Sequence, residues 1–158
     1  MKFIKPLRDI TFEQFKEFLD SLDEENKTWS LDLQKIRNEK EFYDKKQDLT
    51  MICIDEEKVI GLCSFRYFDY LKLPQVIEVS FVVKKDYQSQ GIGSTMLREV
   101  EVMLSKTPHT HIVAKHYKDN IASHKAFLKA GYDVCEDCNE HITSEKDNDV
   151  DWKIKEIG

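Results

Sequence analysis

The chain has 158 residues, 41% of them apolar and 34% charged, with a formal net charge of -6. Such a length fits one domain around a single core, expected to span residues 1–158, and such a charge argues against broad nucleic-acid binding, which needs a basic face. No run approaches the roughly 18 apolar residues of a membrane span, and "MKFIKPLRDITF" is broken by Pro6, Arg8 and Asp9 before an apolar stretch could act as a secretory signal, so the expected location is cytoplasmic.

Residues 2–5 read as a short strand stopped near Pro6. From Thr11, Phe12, Phe15, Phe18, Leu19 and Leu22 fall at helical spacing, with Thr11 and Gln14 spaced as a capping box. A less regular helical pattern runs from about Ser30 to Gln47. The period then changes. "LTMICID" and "KVIGLCSFRYF" flank the polar turn Asp55-Glu56-Glu57-Lys58 and predict an antiparallel hairpin. A bend near Leu73-Pro74 precedes a third long strand, "QVIEVSFVVKK". Met96, Leu97, Val100 and Leu104 then mark one face of a helix ending before Pro108. "THIVAKHY" reads as a strand, "NIASHKAFLKAGY" as a helix closed by Gly131, and "YDVCEDC" with "DVDWKIKEI" as a last pair of strands. The predicted order is βααβββαβαββ.

Cys135 and Cys138 form a C-x-x-C with His141 three residues beyond. Structural zinc needs four converging ligands and one compact pair is visible, so reduced, partly buried thiols are expected and no metal site is assigned. A redox dithiol would sit at a helix N-terminus, whereas "YDVCEDC" reads as strand; in a reducing compartment a disulfide is not expected. His109 and His111 share a strand face, but two ligands do not make a site.

The turn "QSQGIGS" joins the third long strand to a helix. A Walker loop is excluded, because one residue separates Gly91 from Gly93 and no lysine follows; the dinucleotide fingerprint is excluded because Met96 stands where a third glycine is needed. A bare G-x-G can be a plain helix-capping turn. It can also let successive N–H groups from Ser89 to Ser94 point at one cluster of phosphate oxygens, in front of the positive end of a helix.

"IEVSFVVKKDYQSQGIGSTML", followed by a helix, a strand and "NIASHKAFLKAGY", resembles the GNAT superfamily of acyl-CoA N-acyltransferases. The likeness covers nearly the whole order of elements, with motif-level matching in residues 77–132. It implies an α/β (α+β) fold: a mixed, mostly antiparallel sheet of about seven strands whose central parallel strands splay apart, flanked by about four helices. It also implies acetyl-CoA as cofactor. Gln88, Ser89, Gln90, Gly91, Ile92, Gly93 and Ser94 would embrace the pyrophosphate. Val82 and Val83 would meet the pantetheine arm and thioester carbonyl, and Asn120, Ser123 and Phe127 would contact the cofactor from the far side.

The implied reaction is attack of a primary amine on the thioester. An ammonium with a free pKa of about 10 must first lose a proton, and Glu78 is the candidate acceptor, against the alternative of an ordinary carboxylate on a half-exposed strand. In the family a tyrosine often protonates the departing sulfur; here Phe127 falls at that position, leaving Tyr117 or His124 as substitutes, or unassisted loss of the thiolate. Asp20, Asp23, Glu24 and Glu25, with Glu140, Glu145, Asp147 and Asp149, would draw a small cationic amine if they face the acceptor, or else are solvated loop charge. Phe65, Tyr67, Phe68 and Tyr70 would line the acceptor pocket or edge the sheet. Homodimerisation is left open. The alternatives are a non-catalytic acyl-CoA sensor of the same fold and a small metal or redox protein built on the cysteines.

Overall fold

The computed structural model describes residues 2–22, 38–45, 50–67, 75–141 and 149–157. Seven strands form a mixed sheet in the order β1-β2-β3-β4-β5-β7-β6: β1 (Lys2–Pro6), β2 (Thr50–Asp55), β3 (Lys58–Tyr67), β4 (Val76–Val83), β5 (His111–Tyr117), β6 (Asp133–Val134) and β7 (Val150–Glu156). The described α-helices are α1 (Phe12–Asp20), α2 (Glu39–Lys45), α3 (Ile92–Ser105), α4 (Ile121–Lys129) and α5 (Glu136–His141). Paired neighbours run antiparallel except β4 and β5, whose parallel register covers Val76↔His111 to Glu78↔Val113 although the strands continue to Val83 and Tyr117. The chain divides into two compact units, Met1–Phe65 with Ser80–Leu97, and Arg66–Val79 with Arg98–Gly158. No described helix is long and apolar enough to cross a membrane.

In the first unit α1 begins as its sequence predicts. Thr11 Oγ1 accepts from Gln14 N at 3.2 Å and Gln14 Oε1 accepts from Thr11 N at 2.9 Å, so two of the helix's orphan donors are satisfied reciprocally. The helical spacing then buries Phe15, Phe18 and Leu19 in a core with Leu7, Ile52, Val59, Leu62 and Val82. Phe42 of α2 joins them, its ring centroid 5.0 Å from that of Phe15. The rest of the predicted second helix lies outside the described residues. The predicted hairpin forms, with Asp55 opposite Lys58. Its two turn residues, Glu56 (φ 48°) and Glu57 (φ 69°), are both left-handed, as a two-residue turn between right-twisted strands requires.

In the second unit β5 lies between β4 and β7, which accounts for the continuous buried run Ile112-Val113-Ala114. α4 is capped at one end by Asn120, whose Oδ1 accepts from Ser123 N at 3.1 Å, and closed at the other by Gly131 at φ 91°. Lys155 Nζ donates to the Ala130 carbonyl at 2.8 Å and so satisfies one of the acceptors left at that end. The predicted strand over "YDVCEDC" is corrected: only Asp133–Val134 is strand, and α5 follows. Glu136 and Asp137 stand in the first turn of α5, where carboxylates suit the positive end of a helix. The expectation of reduced thiols is corrected with it. The turn brings the Cys135 and Cys138 Cα atoms to 5.3 Å, and the two residues form a disulfide.

Candidate functional site

β4 ends at Val83, and Lys85–Tyr87 turn once as a 3-10 helix, with Lys84 N donating to Ile60 O at 2.8 Å. The turn then tightens on its own side chains. Gln88 Nε2 donates to Val83 O at 3.0 Å and Gln90 Nε2 to Asp86 O at 3.2 Å. Ser89 (φ 63°) and Gly91 (φ 79°) are left-handed, the alternation that lets neighbouring N–H groups converge on one side of a chain. The first intrahelical bond of α3 is Thr95 N to Gly91 O at 2.9 Å. Among the described residues, no protein acceptor takes the backbone N–H groups of Ser89 through Ser94. These six successive donors lead into the start of a 14-residue helix, where the positive end of its dipole lies.

Two glycines keep the turn bare. A Cβ at Gly91 or Gly93 would meet nothing within 4 Å, so neither is required by internal packing. Gly91 needs its positive φ, whereas Gly93 has none.

Val82, Val83 and the turn belong to the first unit, while Glu78, Tyr117, Asn120, Ser123 and Phe127 belong to the second. Glu78 is not the half-exposed strand carboxylate weighed above: it is 4% exposed, and its Oε2 stands 2.9 Å from Arg66 Nε. Tyr117 ends β5, and its carbonyl accepts from Asn120 N at 3.0 Å and from His116 Nδ1 at 2.7 Å. The structure thus brings Tyr117, Asn120 and Ser123 together at the start of α4. Phe127 packs its ring against His116, with centroids 6.0 Å apart and planes 15° from parallel, and against Tyr132 at 5.2 Å. Of the acidic residues predicted to face an acceptor, Asp20, Glu140 and Asp149 are described, and each is exposed. Asp23, Glu24, Glu25, Glu145 and Asp147 lie outside the described residues, as do Phe68 and Tyr70. His109 Nδ1 lies 2.8 Å from Thr107 Oγ1, and His111 Nδ1 lies 2.9 Å from Thr110 Oγ1.

Sequence reasoning missed a polar cluster beneath Phe127. Lys153, fully buried, places Nζ 2.5 Å from Asp151 Oδ2 and 3.0 Å from His116 Nε2. Asp151 Oδ1 accepts from Asn139 Nδ2 at 3.0 Å, and His124 Nδ1 stands 4.0 Å from Asp151 Oδ2. Burial holds the His116 pKa below the ordinary histidine value, and the nearby Lys153 charge adds to this against the opposing bond to Tyr117 O. For Asp151 burial works upward, but the hydrogen bond and charge of Lys153, with the Asn139 bond, bring the pKa below its ordinary value. The signal available in sequence was Asp151 and Lys153 two apart on one strand, hence on one face. What placed them beside His116 was the β5–β7 register, His116↔Asp151, which that spacing does not encode.

Residues 7–132 match the model of the acetyltransferase (GNAT) family. Among solved structures, the chain is similar to a GNAT-family acetyltransferase from Streptococcus pneumoniae (15% identity, TM-score 0.74, 100% of each chain covered). It is likewise similar to an N-acetyltransferase from Staphylococcus aureus Mu50 (17% identity, TM-score 0.72, 100% of this chain and 99% of that one). A third is the Campylobacter jejuni N-acetyltransferase PseH in complex with acetyl coenzyme A (12% identity, TM-score 0.63, 100% of each). No curated protein matches the sequence.

Proposed function

The chain belongs to the acetyltransferase (GNAT) family, and from that premise we propose that it moves an acetyl group from acetyl-CoA to a primary amine of a small cationic acceptor, by direct attack in a ternary complex. The observation that carries this reading is the row of unengaged N–H groups from Ser89 to Ser94, beside glycines whose faces are open. A pyrophosphate satisfies such donors without a metal or a lysine. The relative bound to acetyl coenzyme A supports the choice of cofactor. Gln88 acts at one remove, bracing the turn through Val83 O, while the main chain of Val82 and Val83 takes the pantetheine arm and the thioester carbonyl. Asn120, Ser123 and Phe127 complete the cofactor contacts; because the Asn120 side chain caps α4, its part is to fix the first turn of that helix.

In the reaction the amine nitrogen forms a bond to the acetyl carbon and the carbon–sulfur bond breaks. Glu78, beside Arg66, accepts the ammonium proton directly or through one bridging water. A main-chain N–H at Val82 or Val83 steadies the developing oxyanion. Tyr117 is the residue proposed to protonate the sulfur, and a thiol pKa of about 8.5 makes the thiolate a fair leaving group even without help. Asp20, Glu140 and Asp149 favour a cationic acceptor by their field.

One second reading has support of its own. Phe127 has no proton to give, and the Arg66 pairing limits Glu78 as a base, which favours an acyl-CoA sensor without turnover. Calorimetric titration with coenzyme A tests both readings, and a lack of binding in the micromolar range would sink both. Thiol release from acetyl-CoA across an amine panel separates them: amine-dependent release makes the chain an enzyme, and tight binding without release makes it a sensor.

A further inference from the structure

The cluster under Phe127 has the donor set of a metal site. One ligand atom from each of His116, His124 and Asp151 lies within 4.8 Å of the other two, and His116 Nε2 and His124 Nδ1 stand 3.9 and 4.0 Å from Asp151 Oδ2. Two of the three are oriented by partners behind them. His116 hydrogen-bonds the Tyr117 carbonyl through Nδ1, which leaves the Nε2 lone pair facing the cluster. Asp151 gives Oδ1 to Asn139 and keeps Oδ2 inward. The His124 side chain, 37% exposed, supplies a way in from solvent. The chain already places a cation there, for the Lys153 ammonium touches both Oδ2 and Nε2.

We infer that His116, His124 and Asp151 form a site for a late first-row divalent ion of the zinc class, with Lys153 as the resident cation that the ion displaces. Two imidazoles and one carboxylate suit zinc in both donor type and number, with a fourth position open to water. Tetrahedral ligands at 2.0–2.1 Å stand about 3.3 Å apart. Asp151 Oδ2 is 3.9 Å from His116 Nε2, the wider spacing that the Lys153 ammonium bonded to both sets, and 4.0 Å from His124 Nδ1. Closing to zinc distances asks for a modest inward turn, chiefly of the part-exposed His124. The four-carbon stem of Lys153 lets its ammonium give way.

The test is calorimetric titration of the chelator-stripped full chain with zinc chloride, followed by NMR of the imidazole nitrogens. One ion per chain is expected, with the His116 and His124 signals moving on binding. His124→Ala should weaken binding at least tenfold, and Lys153→Met, which removes the competing charge and keeps the stem, should tighten it at least tenfold. Zinc affinity indifferent to His124→Ala, or a response at His109 or His111 in place of His116 and His124, overturns the inference. Should circular dichroism find Lys153→Met misfolded, the His124→Ala comparison and the imidazole signals decide alone. None of these readings uses coenzyme A or turnover, so the outcome is independent of the proposed acetyl transfer.

Discussion

Gly93 separates the roles that a glycine can play. Its φ is not positive and a Cβ would meet nothing within 4 Å, so a side chain there costs the fold no packing and, in helix propensity, gains roughly a few tenths of a kcal/mol over glycine. The same side chain would stand among the N–H groups proposed to hold a pyrophosphate. Gly93→Val should therefore leave the melting temperature nearly unchanged while weakening coenzyme A binding at least tenfold by calorimetry; wild-type affinity would contradict the cradle. Gly91 is a poorer probe, because its φ of 79° adds backbone strain to any loss of ligand. Glu78 can be tested at the same scale. Glu78→Gln keeps a partner for Arg66 but takes no proton, and the loss expected of a positioned base is about a hundredfold in kcat/KM. The rise of rate with pH should alter as well. An unchanged pH profile in thiol-release assays removes Glu78 from the mechanism.

Elements were legible where local chemistry alone decides them. The capping box at Thr11 and Gln14 is complete within four residues, and the structure contains both of its hydrogen bonds. Thr11→Ala should cost about 1 kcal/mol, a fall of roughly 2–4 °C in melting temperature for a chain of this length, measured by thermal denaturation. Gly131 marked the end of α4 by the same logic, while the cap that Asn120 supplies at its start is seen in the structure. α5 was not legible, because "DVCEDC" opens on a β-branched residue beside the short strand, while its acidic pair matters only once a helix has begun there. The turn at residues 88–94 was legible as a tight strand-to-helix junction, since Gly91 carries its left-handed conformation directly. The environment of Glu78 was not, for Arg66 is twelve residues away on another strand and reaches it only through the sheet. The cluster around Lys153 was hidden for the same reason: strand register is a long-range property, and spacing along one strand says which face a residue takes but not what stands opposite.

At the scale of the molecule the two compact units carry opposite pH liabilities. In the first, burial raises the Cys53 and Cys63 thiols, with Cys63 pushed well above the ordinary value of 9.0. An acid whose pKa is raised by folding favours the native state below the unfolded value, and the contribution drains away as pH climbs above 9. In the second unit, burial lowers His116 below 6.5, and for Asp151 the Lys153 and Asn139 contacts outweigh burial and lower it below 3.8. For both groups the unfolded chain binds the proton more readily. Stability from His116 is thus complete above pH 6.5 and fades as pH falls towards its folded value, and that from Asp151 fades below 3.8. With a chelator present, melting temperature should hold level between about pH 7 and 9 and decline on either side. Amide exchange on the acid side should show β5 and β7 losing protection before β2 and β3. Cys63→Ala should flatten the alkaline decline and leave the acid one; His116→Gln should remove the step that begins near 6.5 and spare the alkaline limb. If either substitution altered both limbs alike, the two units would not be titrating separately, and the decline would belong to the net charge of the whole chain.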